Sequence, residues 1–67
     1  MFIEFAGMMI NINFIVNIYK INYVRNNKNF YDINLQLSTS SSIIKEIYTT
    51  KEEQETRFNE IIAEINK

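Results

Sequence analysis

The feature that most constrains this chain is an apolar stripe near its C-terminus. Thr49–Lys67 predicts an α-helix, because its apolar side chains recur at the i, i+3, i+4 and i+7 spacing of one helix face. Thr50 and Glu53 have the spacing of a capping box at its start, and we expect Glu53 to pair with Arg57 one turn later. A stripe this narrow does not fold alone, so the helix needs a sheet to pack on. The stripe consists of Phe58, Ile61, Ile62 and Ile65.

The residues before the helix predict short antiparallel strands in chain order. Gly7 suits a turn that needs positive φ, and a tight connection is expected at Asn13–Phe14, where the apolar alternation changes phase. The polar segments Arg25–Asn29 and Ser38–Ser42 are typical of hairpin loops. The strands predicted between these turns are Phe2–Ala6, Met8–Ile12, a third beginning near Ile15, Phe30–Leu37 and Ile43–Tyr48.

Two points stay open from the sequence. One long bent strand from Met9 to Val24 is the alternative to the connection at Asn13–Phe14. Ile43–Tyr48 reads as a strand, but its apolar side chains also fit a helix running from Ser42 to Asn66. We favour the strand, because Thr49-Thr50 would place two β-branched residues in the middle of that helix.

Together these elements predict an α+β fold, an antiparallel β-meander of four to five strands with one C-terminal α-helix packed on one face. Residues 1–67 form a single small domain. In the fourth strand Asp32, Asn34 and Gln36 alternate with apolar residues, which indicates one wet face. The expected core is Ile3, Phe5, Ile12, Ile15, Ile18, Ile33, Leu35, Ile47, Phe58, Ile61, Ile62 and Ile65.

Composition narrows the function classes. The chain has no cysteine and no histidine, so it lacks disulfides, thiolate metal ligands and the usual general base. We therefore expect no metal, no cofactor, no small-molecule substrate and no enzymatic activity. Domains this small often have further support, and here association with another chain is what is left, most simply as a homodimer. The alternative is a monomer of marginal stability.

Membrane and nucleic-acid roles are also disfavoured. Met1–Tyr19 is apolar but interrupted by Glu4 and three asparagines, unlike a signal peptide or a transmembrane helix, so we expect no membrane association and a cytoplasmic protein. The net charge is −1. Lys20, Arg25 and Lys28 are few cations for a nucleic-acid-binding face.

The order of elements resembles very short bacterial and phage proteins, among them the flagellar FlbD-like family. The resemblance rests on Ile12-Asn13, on Ile15 with Ile18, on Ile33 with Leu35, and on the acidic helix start Thr50–Glu53 leading to Ile61-Ile62. It implies a meander-plus-helix fold and carries no functional motif, since function belongs to sites rather than folds.

The sequence favours one function and leaves a second open. A single helix covers one face of a sheet, so the other face is expected to bind another protein, or a second copy, through that face or an edge. The concrete form is a phage or mobile-element inhibitor or adaptor of a host protein. The alternative is a single-stranded nucleic-acid-binding module, in which the hairpin aromatics Tyr19, Tyr23, Phe30 and Tyr31 stack on bases beside Lys20, Arg25 and Lys28. The same aromatics also fit a purely structural role, because Tyr23 and Tyr31 are expected to lie near one another across the Arg25–Asn29 loop. The candidate partner-binding residues are Phe14, Val16, Tyr19, Ile21, Tyr23, Arg25 and Tyr31.

Overall fold

The computed structural model describes every residue from Met1 to Lys67. The strands form a two-stranded sheet, β1–β2, and a three-stranded sheet in the order β3–β4–β5. The predicted α+β fold is confirmed, with antiparallel strands in chain order and one C-terminal helix, as is the strand interpretation of residues 43–48. The elements are β1 (Phe2–Phe5), β2 (Met8–Asn11), β3 (Ile15–Arg25), β4 (Lys28–Leu37), β5 (Ile43–Tyr48) and α1 (Lys51–Ile65).

Two hairpins turn through residue pairs with left-handed backbone. Ala6 and Gly7 have φ values of 52° and 78°, and join β1 to β2. Asn26 and Asn27 have φ values of 52° and 63°, and join β3 to β4. Positive φ at both central residues matches the twist of the flanking strands. The predicted loop of residues 25–29 is therefore wrong in length, and both strands continue to the two-residue turn.

A short 3-10 turn separates the two sheets. It spans Ile12–Phe14, and the side-chain Oδ1 of Asn11 accepts the Asn13 N–H at 2.9 Å. The register of β3 against β4 then shifts between Ile15 and Asn17, as in a β-bulge. The turn and the bulge account for the phase change in the sequence, so the alternative of one long bent strand is wrong.

The core lies on one face of the three-stranded sheet. Ile33 and Leu35 on β4 are fully buried there, and they cluster with Ile61 of the helix. The hairpin β1–β2 contributes Ile3, Phe5 and Ile10 to the same cluster. The helix and the β1–β2 hairpin therefore both pack on this face of the sheet.

The predicted core is correct except for Ile47 on β5 and Ile62 on the helix, neither of which belongs to the core cluster or packs against it. Ile47 is 58% exposed, and its neighbour Ile44 packs against the core instead. Ile10 is buried and was not predicted. Ile62 is half-buried. The predicted residues packed at the edge of the core are Ile12, Ile15, Ile18, Phe58 and Ile65.

The helix has the predicted N-cap, but only one half of the expected capping box forms. Thr50 is the N-cap, and its hydroxyl oxygen accepts the Glu53 N–H at 3.2 Å while donating to the Glu53 carboxylate at 2.9 Å. The predicted pairing of Glu53 with Arg57 is wrong. Arg57 instead reaches across to Glu46 on β5, at 3.1 Å, because this side of the helix faces the sheet.

Candidate functional site

The three-stranded sheet leaves one face without a covering element. Ile33 and Leu35 point to the helix side, so the even-numbered residues of β4 point away from it. The register then places a fixed set of neighbours on the same side of β3 and β5. We call this surface the free face; it consists of Asn17, Tyr19, Ile21, Tyr23 and Arg25 on β3, Lys28, Phe30, Asp32, Asn34 and Gln36 on β4, and Ile43, Lys45 and Ile47 on β5.

Polar groups with unmet hydrogen-bonding capacity lie at the centre of the free face. Asp32 is only 2% exposed and Asn34 only 6%, although the sequence predicts a wet face here. Asp32 lies opposite Ile21 on one side and Ile47 on the other, so the flanking strands shield it. The Oδ1 atoms of Asp32 and Asn34 are buried and have no hydrogen-bond partner in the chain. Such groups are costly unless a donor reaches them.

Apolar side chains surround these polar groups. Ile21 is 40% exposed, Ile43 41% and Ile47 58%. Ile21 and Ile47 lie on either side of Asp32, so the middle of the free face is apolar with a buried carboxylate beneath it, whereas Ile43 lies further along β5, opposite Gln36. Exposed apolar side chains gathered on one face are a feature of binding sites in soluble proteins.

An aromatic pair lies at the hairpin end of the free face. The rings of Tyr23 and Phe30 stack with centroids 5.5 Å apart and an interplanar angle of 26°, as cross-strand neighbours. Burial, and then the negative charge of Asp32, raise the pKa of the Tyr23 phenol. Tyr23 therefore belongs to the same group of side chains as the central carboxylate.

The cations of the free face are unpaired. Arg25 and Lys28 lie opposite each other beside the Asn26–Asn27 turn, and Lys45 lies opposite Asn34. All three are exposed, and none makes an ion pair within the chain. Among the other lysines and arginines only Lys51 is unpaired.

The structure divides the predicted partner-binding residues between different places. Tyr19, Ile21, Tyr23 and Arg25 lie together on the free face. Phe14 belongs to the 3-10 turn and Val16 to the bulge; both are exposed, at 45% and 61%, and lie outside the regular rows of the sheet. Phe14 and Val16 therefore lie at the margin of the free face and are not part of it.

Tyr31 lies on the other face of the sheet. It is opposite Asn22 and Tyr48 on the helix side, and the residue opposite Tyr23 is Phe30. The prediction that the side chains of Tyr23 and Tyr31 lie near one another is thus wrong. Lys20 is also on the helix side, where its ammonium lies 2.8 Å from the Glu55 carboxylate and 4.9 Å from the Phe58 ring centroid.

Sequence reasoning missed Asp32, Ile43, Lys45 and Ile47 as members of this surface, and it placed Tyr31 rather than Phe30 beside Tyr23. A signal for Phe30 was present, since Asn26-Asn27 is a suitable pair for a two-residue turn. Such a turn fixes the register and places Phe30 opposite Tyr23. The β5 residues depend on a pairing across the serine-rich connection, which the sequence does not fix.

The covered side has a polar network of its own. The Glu46 carboxylate accepts hydrogen bonds from Arg57 Nε at 3.1 Å, from the Tyr48 hydroxyl at 2.5 Å and from the Ala6 N–H at 2.8 Å. Arg57 also donates to the backbone carbonyl of Glu4. A groove of about 610 Å³ between β1 and α1 opens beside these residues. The charged side chains at its centre, Glu46 and Arg57, already bond to each other and to the β1–β2 hairpin.

The network shifts the pKa values of its members. Burial opposes ionisation of Glu46, but the hydrogen bonds from Ala6, Tyr48 and Arg57 outweigh it and hold the pKa of Glu46 below its usual value. Burial and the Glu46 carboxylate raise the pKa of Tyr48 to about 12. These shifts belong to a structural contact between three elements.

Metal-ligand groups, membrane-spanning helices and similarity to known proteins were not found in this chain. No group of three or more acidic, histidine or cysteine side chains is arranged to hold a metal ion. No helix combines the length and apolar character needed to cross a membrane. Comparison with protein-family models, curated proteins and solved structures found no match to this chain. The resemblance to FlbD-like proteins therefore stays a prediction.

Proposed function

We propose that this chain is a non-enzymatic protein-interaction module whose free face contacts a partner protein. The observation that carries the proposal is the exposed apolar surface of Ile21 and Ile47 on either side of Asp32, with Ile43 further along β5. A partner that covers this surface removes apolar area from water.

An adaptor or inhibitor acting on a host protein, encoded by a phage or mobile element, is the concrete form of this proposal. Binding without chemistry is in keeping with a chain that has neither histidine nor cysteine. The two grooves of the structure lie elsewhere, so the free face suits a protein surface better than a small molecule, since small ligands bind in concave pockets.

A single-stranded nucleic acid is the second candidate for the free face. It is favoured by the stacked rings of Tyr23 and Phe30 beside Arg25 and Lys28, a combination used to bind bases and phosphates. It is disfavoured by the central carboxylate of Asp32, which would repel a phosphate backbone, and by Lys20, which pairs with Glu55 on the other side. The protein partner therefore fits more of the surface.

Capture from a lysate of the cells that carry the gene, after nuclease treatment, tests the proposal. The immobilised wild-type chain is compared with Ile47→Asp, which places a charge on the free face. The matched control is Val24→Asp, because Val24 is similarly exposed, at 67% against 58% for Ile47, and points to the other side of β3. A protein retained by wild type and Val24→Asp but lost with Ile47→Asp supports the proposal; equal retention by all three contradicts it.

A further inference from the structure

The exposed charged side chains of the free face all have the same sign, which bears on the charge of its partner. Three of the four lysine and arginine side chains without an ion pair in this chain lie on this one surface, namely Arg25, Lys28 and Lys45. The only acid on the same surface is Asp32, which is buried. The exposed charge of the free face is therefore entirely positive, although the whole chain has a net charge of −1.

The cations lie toward opposite ends of the apolar surface. Arg25 and Lys28 flank the Asn26–Asn27 turn, whereas Lys45 lies opposite Asn34, six residues further along β4. At about 3.4 Å per residue this separation is about 20 Å. The apolar side chains of Ile21 and Ile47 lie between these ends, opposite Asp32.

We infer that the partner bound by the free face is an acidic protein segment, with an apolar middle and carboxylates at both ends about 20 Å apart. The inference rests on the proposed function and adds the chemistry of the partner. Carboxylates at its ends would pair with Arg25 and Lys28 at one end and Lys45 at the other, while its apolar residues cover Ile21 and Ile47. Complementary charges of this kind set orientation and specificity more than affinity.

A second copy of this chain fits the surface less well. A face-to-face dimer would bring two sets of three unpaired cations into one interface, against one buried acid from each copy. Like charges facing each other are costly in an interface. Nucleic acid would satisfy the cations but would leave the apolar side chains of Ile21 and Ile47 unmatched.

Designed peptides test the inference directly. The probes are fluorescent amphipathic helices of about 18 residues, since about 13 helical residues span 20 Å. Each has the same leucine stripe, and the two ends carry Glu, Gln or Lys. A fluorescent oligo-dT of similar length is the nucleic-acid probe. Anisotropy titrations with the full chain at low and high salt give the dissociation constants.

The Glu-ended peptide should bind about tenfold more tightly than the Lys-ended peptide. Each exposed ion pair contributes little, but a few of them together account for a difference of this size. High salt should shrink this difference. The triple variant Arg25→Gln, Lys28→Gln and Lys45→Gln should abolish the preference. Lys51→Gln, which removes the unpaired cation on the helix, is the matched control and should retain it.

Four outcomes separate this inference from the proposed function. Binding that is lost in Ile47→Asp but shows no preference among the peptide ends leaves the proposed function standing and overturns the acidic partner. Peptide binding unchanged by Ile47→Asp contradicts both. Tighter binding of oligo-dT than of any peptide, lost in the triple variant, replaces the protein partner by nucleic acid. Concentration-dependent dimerisation that Ile47→Asp abolishes assigns the face to a second copy instead.

Discussion

Glu46 Oε2 accepts the backbone N–H of Ala6 at 2.8 Å, and this bond ties the β1–β2 hairpin to the three-stranded sheet. The same carboxylate receives Arg57 from the helix. One side chain on β5 therefore connects the N-terminal hairpin, the three-stranded sheet and the helix. Because the hairpin and the helix cover the same face, the other face of the sheet is left free for a partner.

Replacing Glu46 by Gln should destabilise the fold. The amide keeps the size of the side chain but removes the charge that Arg57 faces, and it cannot accept all three hydrogen bonds. We expect the free energy of unfolding to fall by about 1.5–3 kcal/mol, as for hydrogen bonds to charged groups. Urea denaturation at neutral pH measures the loss. Glu60→Gln, whose carboxylate is exposed and 3.9 Å from Arg57, should change stability by less than about 0.5 kcal/mol.

The same carboxylate should make the fold sensitive to acid. Its pKa is lower in the folded state than the ordinary value of 4.5, so the folded state favours the ionised form. This contribution is present above the unfolded pKa and is lost as pH falls through the folded pKa. Urea midpoints measured from neutral to acidic pH should therefore fall more steeply for wild type than for Glu46→Gln. Parallel curves for the two proteins would contradict the assigned role.

Tyr48 should make the fold sensitive to alkali. Its pKa rises from 10.0 to about 12 on folding, so the folded state favours the neutral phenol. The resulting stability is complete below the unfolded pKa and is lost as pH rises through the folded one. Between about pH 10 and about pH 12 wild type should lose more stability than Tyr48→Phe. The control Tyr19→Phe, on the free face, should follow wild type; a Tyr48→Phe curve equal to wild type would refute the prediction.

Two isoleucines on the sheet test which face forms the core. Ile33→Ala removes a fully buried side chain and should cost about 2–5 kcal/mol. Ile47→Ala shortens a side chain that is 58% exposed and should cost under about 1 kcal/mol. Chemical denaturation of the two variants gives the comparison. Similar losses would show that the assignment of the two faces is wrong.

The Ala6 turn offers a stabilising substitution. Ala6 has a φ of 52°, a left-handed conformation that is unfavourable for alanine and tolerated by asparagine. Ala6→Asn creates the Asn-Gly pair preferred in two-residue hairpin turns and leaves the N–H to Glu46 intact. We expect a gain of about 0.5–1 kcal/mol in the free energy of unfolding, read as a higher denaturation midpoint. A lower midpoint would mean that the turn does not hold this conformation in solution.

The parts of the fold that the sequence predicts are those with local causes. The Thr50 cap depends on residues within one turn of the helix, and the change of phase before Ile15 depends on neighbours along one strand. Both could be recognised from periodicity and spacing. The strand nature of residues 43–48 follows from the same local reasoning.

The errors concern choices that depend on distant residues. In β5 both faces carry isoleucine, so alternation does not decide between Ile44 and Ile47 for the core. Asp32 is buried because Ile21 and Ile47 flank it, a consequence of register across two strands. Arg57 has a local partner available in Glu53, but the distant Glu46 lies on the side that faces the sheet. The sequence predicts that one face of the sheet is uncovered. Which residues lie on that face depends on the strand pairing, which the sequence does not specify.

Photo-crosslinking from the free face is the most direct test of the central claim. A photoreactive amino acid replaces Ile47 in one variant and Val24 in another, since both positions are well exposed and lie on opposite sides of the sheet. Each is irradiated in nuclease-treated lysate of the cells that carry the gene. The claim predicts a discrete crosslinked protein from position 47 and none from position 24. The same product from both positions, or a product from position 24 alone, would contradict it.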